Sequence, residues 1–222
     1  YGANSVFNHC LFENNAAYQG GAVYNGNNGM PVFSNYVAVG NSGNGSFIYN
    51  DNSGGSIINS TVTRKASFNI ETDVANVISL NNNSNIDIRN SILWGNNTAL
   101  MGFGNFFSEI FNDGTSTVNA HNSCFQQYGT HGINGNTVNQ NPRMVNYNDP
   151  DGPDNIFFTS DDGLRLSGCS PVINSGNSSF LPFNTVDITN NPRTIGGAVD
   201  MGAFEYQSAP SSIIGGSNVY VR

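Results

Sequence analysis

Five aspartates between positions 149 and 162 are the residues whose type and spacing point most directly to chemistry. They are Asp149, Asp151, Asp154, Asp161 and Asp162, and no basic residue interrupts them. Carboxylates this close repel one another unless a cation or solvent relieves them. Ca²⁺ binds about six to eight oxygens, and Gly152 and Gly163 would provide the sharp turns that such a loop needs. The run predicts a structural calcium site, with a solvated acidic turn as the alternative.

A second set of ionisable residues is Asp87, Arg89 and His121. Asp87 and Arg89 stand two positions apart, so they share one face of a strand. His121 takes the place of Arg89 in the following repeat. These three are the catalytic candidates if the protein acts on a sugar polymer, and an ordinary exposed strand face is the favoured interpretation. A glycoside hydrolase would need two carboxyls about 5 to 10 Å apart, and nothing in the sequence aligns Asp87 with Glu109 or Asp113.

The elements that position these residues come from a repeat. Five segments align on a central Asn, and the intervals between these Asn residues are 27, 24, 31 and 32 residues. The aligned residues are Asn8, Asn35, Asn59, Asn90 and Asn122. A second strand-like segment between successive repeats also ends in Asn, at Asn25, Asn50, Asn81 and Asn112. The unit is therefore strand, Asn corner, strand, loop, strand, loop.

A repeat of this length with short strands and no helical period is typical of one coil of a β-solenoid. Strands of successive coils would lie about 4.8 Å apart. The five central Asn residues would then form a single file, an asparagine ladder, in which each amide bonds the next and each residue tolerates the left-handed backbone of a corner. A β-sandwich is the alternative. We predict an all-β fold, a right-handed parallel β-helix with an irregular C-terminal cap.

The repeat fades after about Tyr128, which divides the chain. We predict parallel β-helix coils over residues 1–128, the last coils and a C-terminal cap with the acidic loop over 129–207, and a linker to a following domain over 208–222. The alignment also places Cys10 and Cys124 in one inward column, four coils apart and too distant for a disulfide.

The charge and hydropathy of the chain limit the classes of partner that it is expected to bind. The chain has 7 Lys and Arg against 15 Asp and Glu, a net charge of −8, and only 10% charged residues. An acidic chain of this kind is poorly suited to nucleic acid or anionic membranes. No run of 18 apolar residues occurs, so we expect no membrane insertion by this segment.

Several runs resemble a known group of proteins. Residues 12–25 (FENNAAYQGGAVYN) and 90–96 (NSILWGN) resemble the repeats of bacterial right-handed β-helix surface proteins, which include polymorphic outer-membrane and pectate-lyase-like repeats. Residues 149–166 and 170–176, followed by Arg193 and residues 202–206, are similar to the end of β-helix domains in large secreted Bacteroidetes-type proteins with a C-terminal anchoring or sorting domain. The resemblance implies export and display at the bacterial cell surface, and it implies no particular reaction.

The sequence therefore predicts a non-catalytic extracellular module that serves as an adhesin, stalk or glycan-binding surface, with structural Ca²⁺ as the one expected cofactor. Glycans or other cell-surface proteins are the expected partners, and abundant Asn, Ser, Thr and Tyr suit neutral sugars. A polysaccharide-active lyase or hydrolase is one alternative. A structural subunit of an extracellular filament or sheath is another.

Overall fold

The structure is a computed structural model that describes residues 2–64, 76–96, 109–126, 137–181 and 186–207. The predicted linker at 208–222 and the predicted boundary at 128 lie outside these residues. The strands are β1 (Val6–Asn8), β2 (Leu11–Glu13), β3 (Ala16–Gln19), β4 (Val23–Gly26), β5 (Val32–Ser34), β6 (Val37–Val39), β7 (Ser42–Asn44), β8 (Ile48–Asp51), β9 (Ser56–Ile58), β10 (Thr61–Thr63), β11 (Ile78–Asn81), β12 (Asn85–Arg89), β13 (Ile92–Leu93), β14 (Ile110–Asn112), β15 (Thr117–His121) and β16 (Cys124–Phe125). A 3-10 helix, Ser178–Phe180, follows.

The strands form a parallel β-solenoid, which confirms the predicted all-β class. The first sheet has the order β1-β5-β9-β12-β15, the second β16-β13-β10-β6-β2, and the third β14-β11-β8-β4, while β3 pairs with β7. Every pair between these strands is parallel. None of the described segments is a helix long and apolar enough to cross a bilayer.

The lumen of the solenoid holds the main hydrophobic core. The first sheet contributes Phe7, Phe33, Ile57, Ile88 and Ala120, the second Phe12, Ala38, Val62, Leu93 and Phe125, and the third Val23, Ile48, Ile78 and Ile110. Aromatic rings fill the lumen at its N-terminal end, where Phe7 and Phe33 stack with ring centroids 5.0 Å apart. Equivalent side chains from successive coils thus lie over one another, as period-two strands with a constant register require.

A second core lies outside the solenoid. The outward side chains of the second sheet, Val37, Ile92 and Cys124 among them, are buried under residues that follow position 137. The covering residues are Met144, Leu164, Leu166, Val172, Ile188, Met201, Ala203 and Phe204. The described part of the C-terminal region is irregular in secondary structure, as predicted for a cap. It lies along the side of the solenoid and reaches the first coils, as well as the end of the stack.

Candidate functional site

The residues that turn the chain from the first sheet into the second form the first corner file. Its members are His9, Asn35, Asn59, Asn90 and Asn122, and all have φ between 46° and 54°. The register pairs Asn8 with Ser34, so the predicted ladder is shifted by one position in its first coil. His9 takes the corner because Phe7, which stacks on Phe33, fixes the register of this coil.

The amides of the predicted ladder bond in two pairs, with a break between them. Asn35 Nδ2 donates to Asn8 Oδ1 at 3.1 Å, which Asn8 reaches from the strand position before the corner. Asn90 Nδ2 donates to Asn59 Oδ1 at 3.0 Å. Between these pairs, Asn59 Nδ2 is buried without a partner. The ladder is therefore discontinuous where the C-terminal cap reaches it.

The fully buried Arg193 fills this break. Its Nη2 donates to Asn35 Oδ1 at 2.7 Å, to the Asn59 carbonyl at 3.2 Å and to the Ala203 carbonyl at 2.9 Å. Its Nη1 donates to the Gly202 carbonyl at 2.8 Å and lies 3.9 Å from Glu205 Oε2. One guanidinium thus connects the corner of two coils to the C-terminal segment.

The same corner file binds main-chain groups of the cap further along the stack. Asn90 Nδ2 donates to the Asn177 carbonyl at 3.0 Å, and the Asn177 amide donates to Asn90 Oδ1 at 2.8 Å. Asn122 Nδ2 donates to the Ser175 carbonyl at 3.0 Å. The first corner file therefore serves as the strip on which the cap docks.

The Asn residues of the third sheet align less regularly than the sequence predicts. Asn25 Nδ2 donates to Asn50 Oδ1 at 2.9 Å. Asn50 pairs with Leu80, and Leu80 with Asn112. The predicted Asn81 is thus one position off, because apolar Leu80 takes the lumen-facing place in that coil.

Asp87, Arg89 and His121 lie together on the outer face of the first sheet, with Arg89 and His121 as paired positions. Arg89 forms an ion pair with Asp87, and its Nε donates to Asp87 Oδ1 at 3.0 Å. The Phe180 ring covers this face, 5.1 Å from the Arg89 guanidinium carbon and 5.8 Å from the His121 ring. Asp87 and Arg89 therefore bind each other, and the Phe180 ring lies against Arg89 and His121. None of the three side chains lines the cleft at the end of the second sheet.

The acidic loop is held by hydrogen bonds within itself. Asp162 Oδ2 accepts from the Phe158 amide at 2.7 Å and its Oδ1 from the Thr159 amide at 3.1 Å. Asp161 accepts from the Thr159 hydroxyl, and Asp154 from the Ile156 amide. No group of three or more Asp, Glu, His or Cys side chains within the described ranges is arranged to hold a metal ion. A calcium site formed by Asp149, Asp151, Asp154, Asp161 and Asp162 stays a prediction.

The two glycines of this loop lie where a side chain has no space. A Cβ on Gly163 would lie 2.1 Å from the carbonyl oxygens of both Asn146 and Asp149. Gly152 has φ +67°, and a Cβ there would lie 2.4 Å from the Asp161 carbonyl oxygen. The sharp turns predicted at these glycines are present.

The cysteines occupy different places from the predicted column. Leu11, one residue after Cys10, pairs with Val37 in the row that ends at Cys124. This row faces outward into the second core, and burial there raises the pKa of the Cys124 thiol to about 12. Cys10 instead packs at the edge of the lumen. The one-position shift of the first coil accounts for the difference.

A cleft of about 620 Å³ lies where the second sheet ends. One wall is formed by the second corner file, which we define as Asn14, Gly40, Arg64 and Gly95, all with φ between 50° and 73°. Glu13, Val39 and Gln126 extend this wall. The opposite wall is the start of the acidic loop, where Tyr147, Asn148, Pro150 and Asp151 face the cleft.

A close contact between the two walls and hydrogen bonds within one wall hold the polar groups of this cleft in place. Gly95 lies against the Tyr147 ring, so that a Cβ there would be 2.9 Å from two ring carbons. The Gly95 amide donates to Gln126 Oε1 at 2.8 Å, and Asn14 Nδ2 donates to Glu13 Oε1 at 3.1 Å. The cleft therefore combines one aromatic ring, several amides, two carboxylates and one guanidinium.

Arg64 is the unusual member of the second corner file. A left-handed backbone costs an ordinary L-residue about 1–2 kcal/mol, and Asn and Gly avoid most of that cost. The other three positions of the file carry Asn or Gly, whereas Arg64 adopts φ +50°. Backbone strain of this kind clusters at functional sites.

The sequence contained a weak sign of this cleft, which an alignment centred on the Asn residues of the first corner does not reveal. Arg64 lies at the second corner of its coil and Glu13 directly before that corner in its own coil. The repeat, however, predicts Asn residues at the other corner and is one residue off in the first coil. Tyr147 and Asn148 come from a segment outside the repeat. Only the folded chain shows that this segment returns to the second corner file.

Comparison with known proteins identifies no relative of this chain. No protein-family model matches it, and neither curated proteins nor solved structures give a significant match. The class that the fold defines is a parallel β-solenoid with an irregular cap along its side.

Proposed function

We propose that this protein is a non-catalytic extracellular module of a bacterial surface or secreted protein, and that it binds glycans in the cleft at the second corner file. The lining of the cleft is the observation that carries the proposal. Sugar hydroxyls both donate and accept hydrogen bonds, so amides, carboxylates and a guanidinium around one Tyr ring suit them. Its volume lies within the roughly 300–1,000 Å³ of small-ligand sites.

The solenoid gives this cleft a firm base. Each coil hydrogen-bonds to its neighbours through three sheets, and the lumen behind the second sheet is filled. Binding residues on such a base lose little freedom when a ligand arrives, which favours affinity. The same rigidity suits a stalk or adhesin that presents its side to glycans or to other cell-surface proteins.

A polysaccharide-active enzyme is the second candidate, and one observation favours it. Glu13 and Asp151 both line the cleft, and a glycoside hydrolase works with two carboxyls across its bound sugar. Asp87 and Arg89 bind each other beneath Phe180, which leaves less of their surface for substrate.

A glycan array read together with hydrolase and lyase assays on the bound glycans tests the proposal. We expect binding to at least one oligosaccharide and no release of reducing ends or unsaturated products. Tyr147→Ala removes the ring of the cleft and should weaken binding about tenfold or more, since ring contacts dominate such sites. Tyr24→Ala, an exposed ring on the third sheet, is the matched control and should bind normally.

Each array is run with Ca²⁺ and with EDTA, because Asp151 belongs to both the cleft and the predicted calcium loop. Calcium at this loop would make both glycan affinity and melting temperature fall in EDTA. If the protein cleaves a bound glycan and Glu13→Gln abolishes the cleavage, the enzyme hypothesis replaces the binding-module hypothesis. Absence of binding to every glycan under both conditions would refute the proposal.

A further inference from the structure

Arg64 is the one described arginine that lines the cleft. Its guanidinium has no protein partner within the described ranges; Arg165 also has no hydrogen bond or ion pair there, but it does not line the cleft. Among the described residues, Arg89 pairs with Asp87, and Arg193 contacts carbonyls and Asn35. The Arg64 guanidinium forms neither an ion pair nor a hydrogen bond with any residue in the described ranges, although Glu13 and Asp151 line the same cleft. An exposed guanidinium on a strained corner thus contributes nothing visible to the fold.

A second arginine with left-handed backbone provides the contrast. Arg143 has φ +51°, and its Nη1 donates to the Cys169 carbonyl at 3.1 Å. Its side chain therefore stabilises the cap, outside the cleft. Arg64 has a left-handed backbone of the same kind, but its side chain lines the cleft. The equivalent corners are formed by Asn14, Gly40 and Gly95, so this corner does not require an arginine.

We propose that Arg64 is the ligand-contacting residue that selects neutral oligosaccharides in this cleft. This inference rests on the proposed glycan-binding function. The guanidinium donates to ring and hydroxyl oxygens of the sugar, while the carboxylates of Glu13 and Asp151 accept from its hydroxyl groups. Hydrogen bonds with one charged partner are the strong ones in such a site.

The charge of the lining decides between neutral and acidic glycans. Two carboxylates face one guanidinium in the cleft, and the chain as a whole has a net charge of −8. A uronate or sulfate group that reached Arg64 would enter a cleft that Glu13 and Asp151 also line, and like charges disfavour it. A neutral sugar satisfies all three groups, since each hydroxyl donates and accepts.

The test compares Arg64→Asn with Arg143→Asn by isothermal titration of the neutral oligosaccharide found on the array, and records the melting temperature of each variant. Asn suits the left-handed corner, so Arg64→Asn should keep or raise the melting temperature, by about 2 °C. Its affinity for the oligosaccharide should fall about tenfold or more. Arg143→Asn lacks any contact with the cleft and should bind as the wild type does.

The possible outcomes distinguish a failure of the role proposed for Arg64 from a failure of the proposed glycan-binding function. Wild-type binding of neutral glycans that Arg64→Asn leaves within twofold would overturn the role of Arg64 and leave the glycan module intact. Wild-type binding only to uronate-rich or sulfated glycans would overturn the neutral class. A wild type that binds no glycan refutes the proposed function itself. A selective loss in Arg64→Asn, with folding kept, supports the inference.

Discussion

At the scale of single residues, the cap buries a group of ionisable side chains. Arg193, Glu205 and Asp200 are each almost completely buried. Burial and then the Asp200 carboxylate raise the pKa of Glu205 to about 8, and burial raises the pKa of Asp200. Glu205 Oε2 accepts from the Asp200 amide at 3.1 Å, while Oε1 has no partner. The fold therefore favours the protonated form of Glu205.

This preference makes stability depend on pH. Because the folded pKa of Glu205 lies above its ordinary value of 4.5, its stabilising effect is complete below about pH 4.5 and is lost as pH rises through about 8. The loss is on the order of a few kcal/mol, since each pKa unit corresponds to about 1.4 kcal/mol. We expect the melting temperature to fall by several degrees between pH 5 and pH 9.

Glu205→Gln tests the assignment of this pH dependence. The amide keeps an oxygen for the Asp200 N–H and has no charge to develop, so its melting curve should change little over the same interval. Calorimetric scans of both proteins at matched ionic strength provide the measurement. A wild-type profile without this fall, or a fall that persists in Glu205→Gln, would show that another group is responsible.

At the scale of elements, the corners show how much of the fold could be predicted from sequence. Asn was abundant at positions that need a left-handed backbone, and four of the five predicted ladder residues lie at the first corner. In the first coil the repeat predicts Asn8 at the corner, whereas the structure has His9 there, because Phe7 and not Val6 pairs with Phe33 in the lumen column. A pattern of one residue type cannot show which neighbour faces inward when both neighbours are compatible with a corner.

The cap was predictable only as an irregular region. Its contacts join residues far apart in sequence, such as Arg193 and Asn35, or Ala203 and Thr61. No local period records which coil such a segment will meet. The candidate cleft was missed for the same reason, since Tyr147 reaches Gly95 only after the cap has folded back along the second sheet.

Asn90 separates the two roles of a corner residue, backbone conformation and amide bonding. Asn90→Gly keeps the left-handed conformation and loses the bonds to Asn59 and Asn177, so we expect a loss of about 1–3 kcal/mol. Asn90→Ala loses the same bonds and also strains the backbone, which should cost about 1 kcal/mol more. Urea denaturation of both variants measures the difference.

A strand position provides the control for this comparison. Asn119 lies in β15 on the outer face of the first sheet, with no left-handed backbone. There Gly is the worse substitute, because it loosens a strand that Ala does not. The order of stability, Gly above Ala at position 90 and Ala above Gly at 119, is expected. The same order at both positions would contradict the corner argument.

At the scale of the whole molecule, the cleft, the corner files and the docked cap all depend on the register of the coils. The structure pairs Val32 with Ser56, and Ser56 with Asp87, along the outer face of the first sheet. Neighbouring positions in such a row lie about 4.8 Å apart, and positions two coils apart lie about twice that distance. A disulfide needs Cα atoms about 4.4–6.8 Å apart.

Disulfide trapping therefore measures the register directly, in a variant with Cys10 and Cys169 replaced by Ser. After mild oxidation of the folded protein, mass spectrometry should find an intramolecular disulfide in Val32→Cys/Ser56→Cys. It should find none in Val32→Cys/Asp87→Cys, although all three positions lie in one row on the outer face of the first sheet. A folded Val32→Cys/Ser56→Cys protein that stays reduced, or a Val32→Cys/Asp87→Cys protein that cross-links as readily, would contradict the stacked-coil fold.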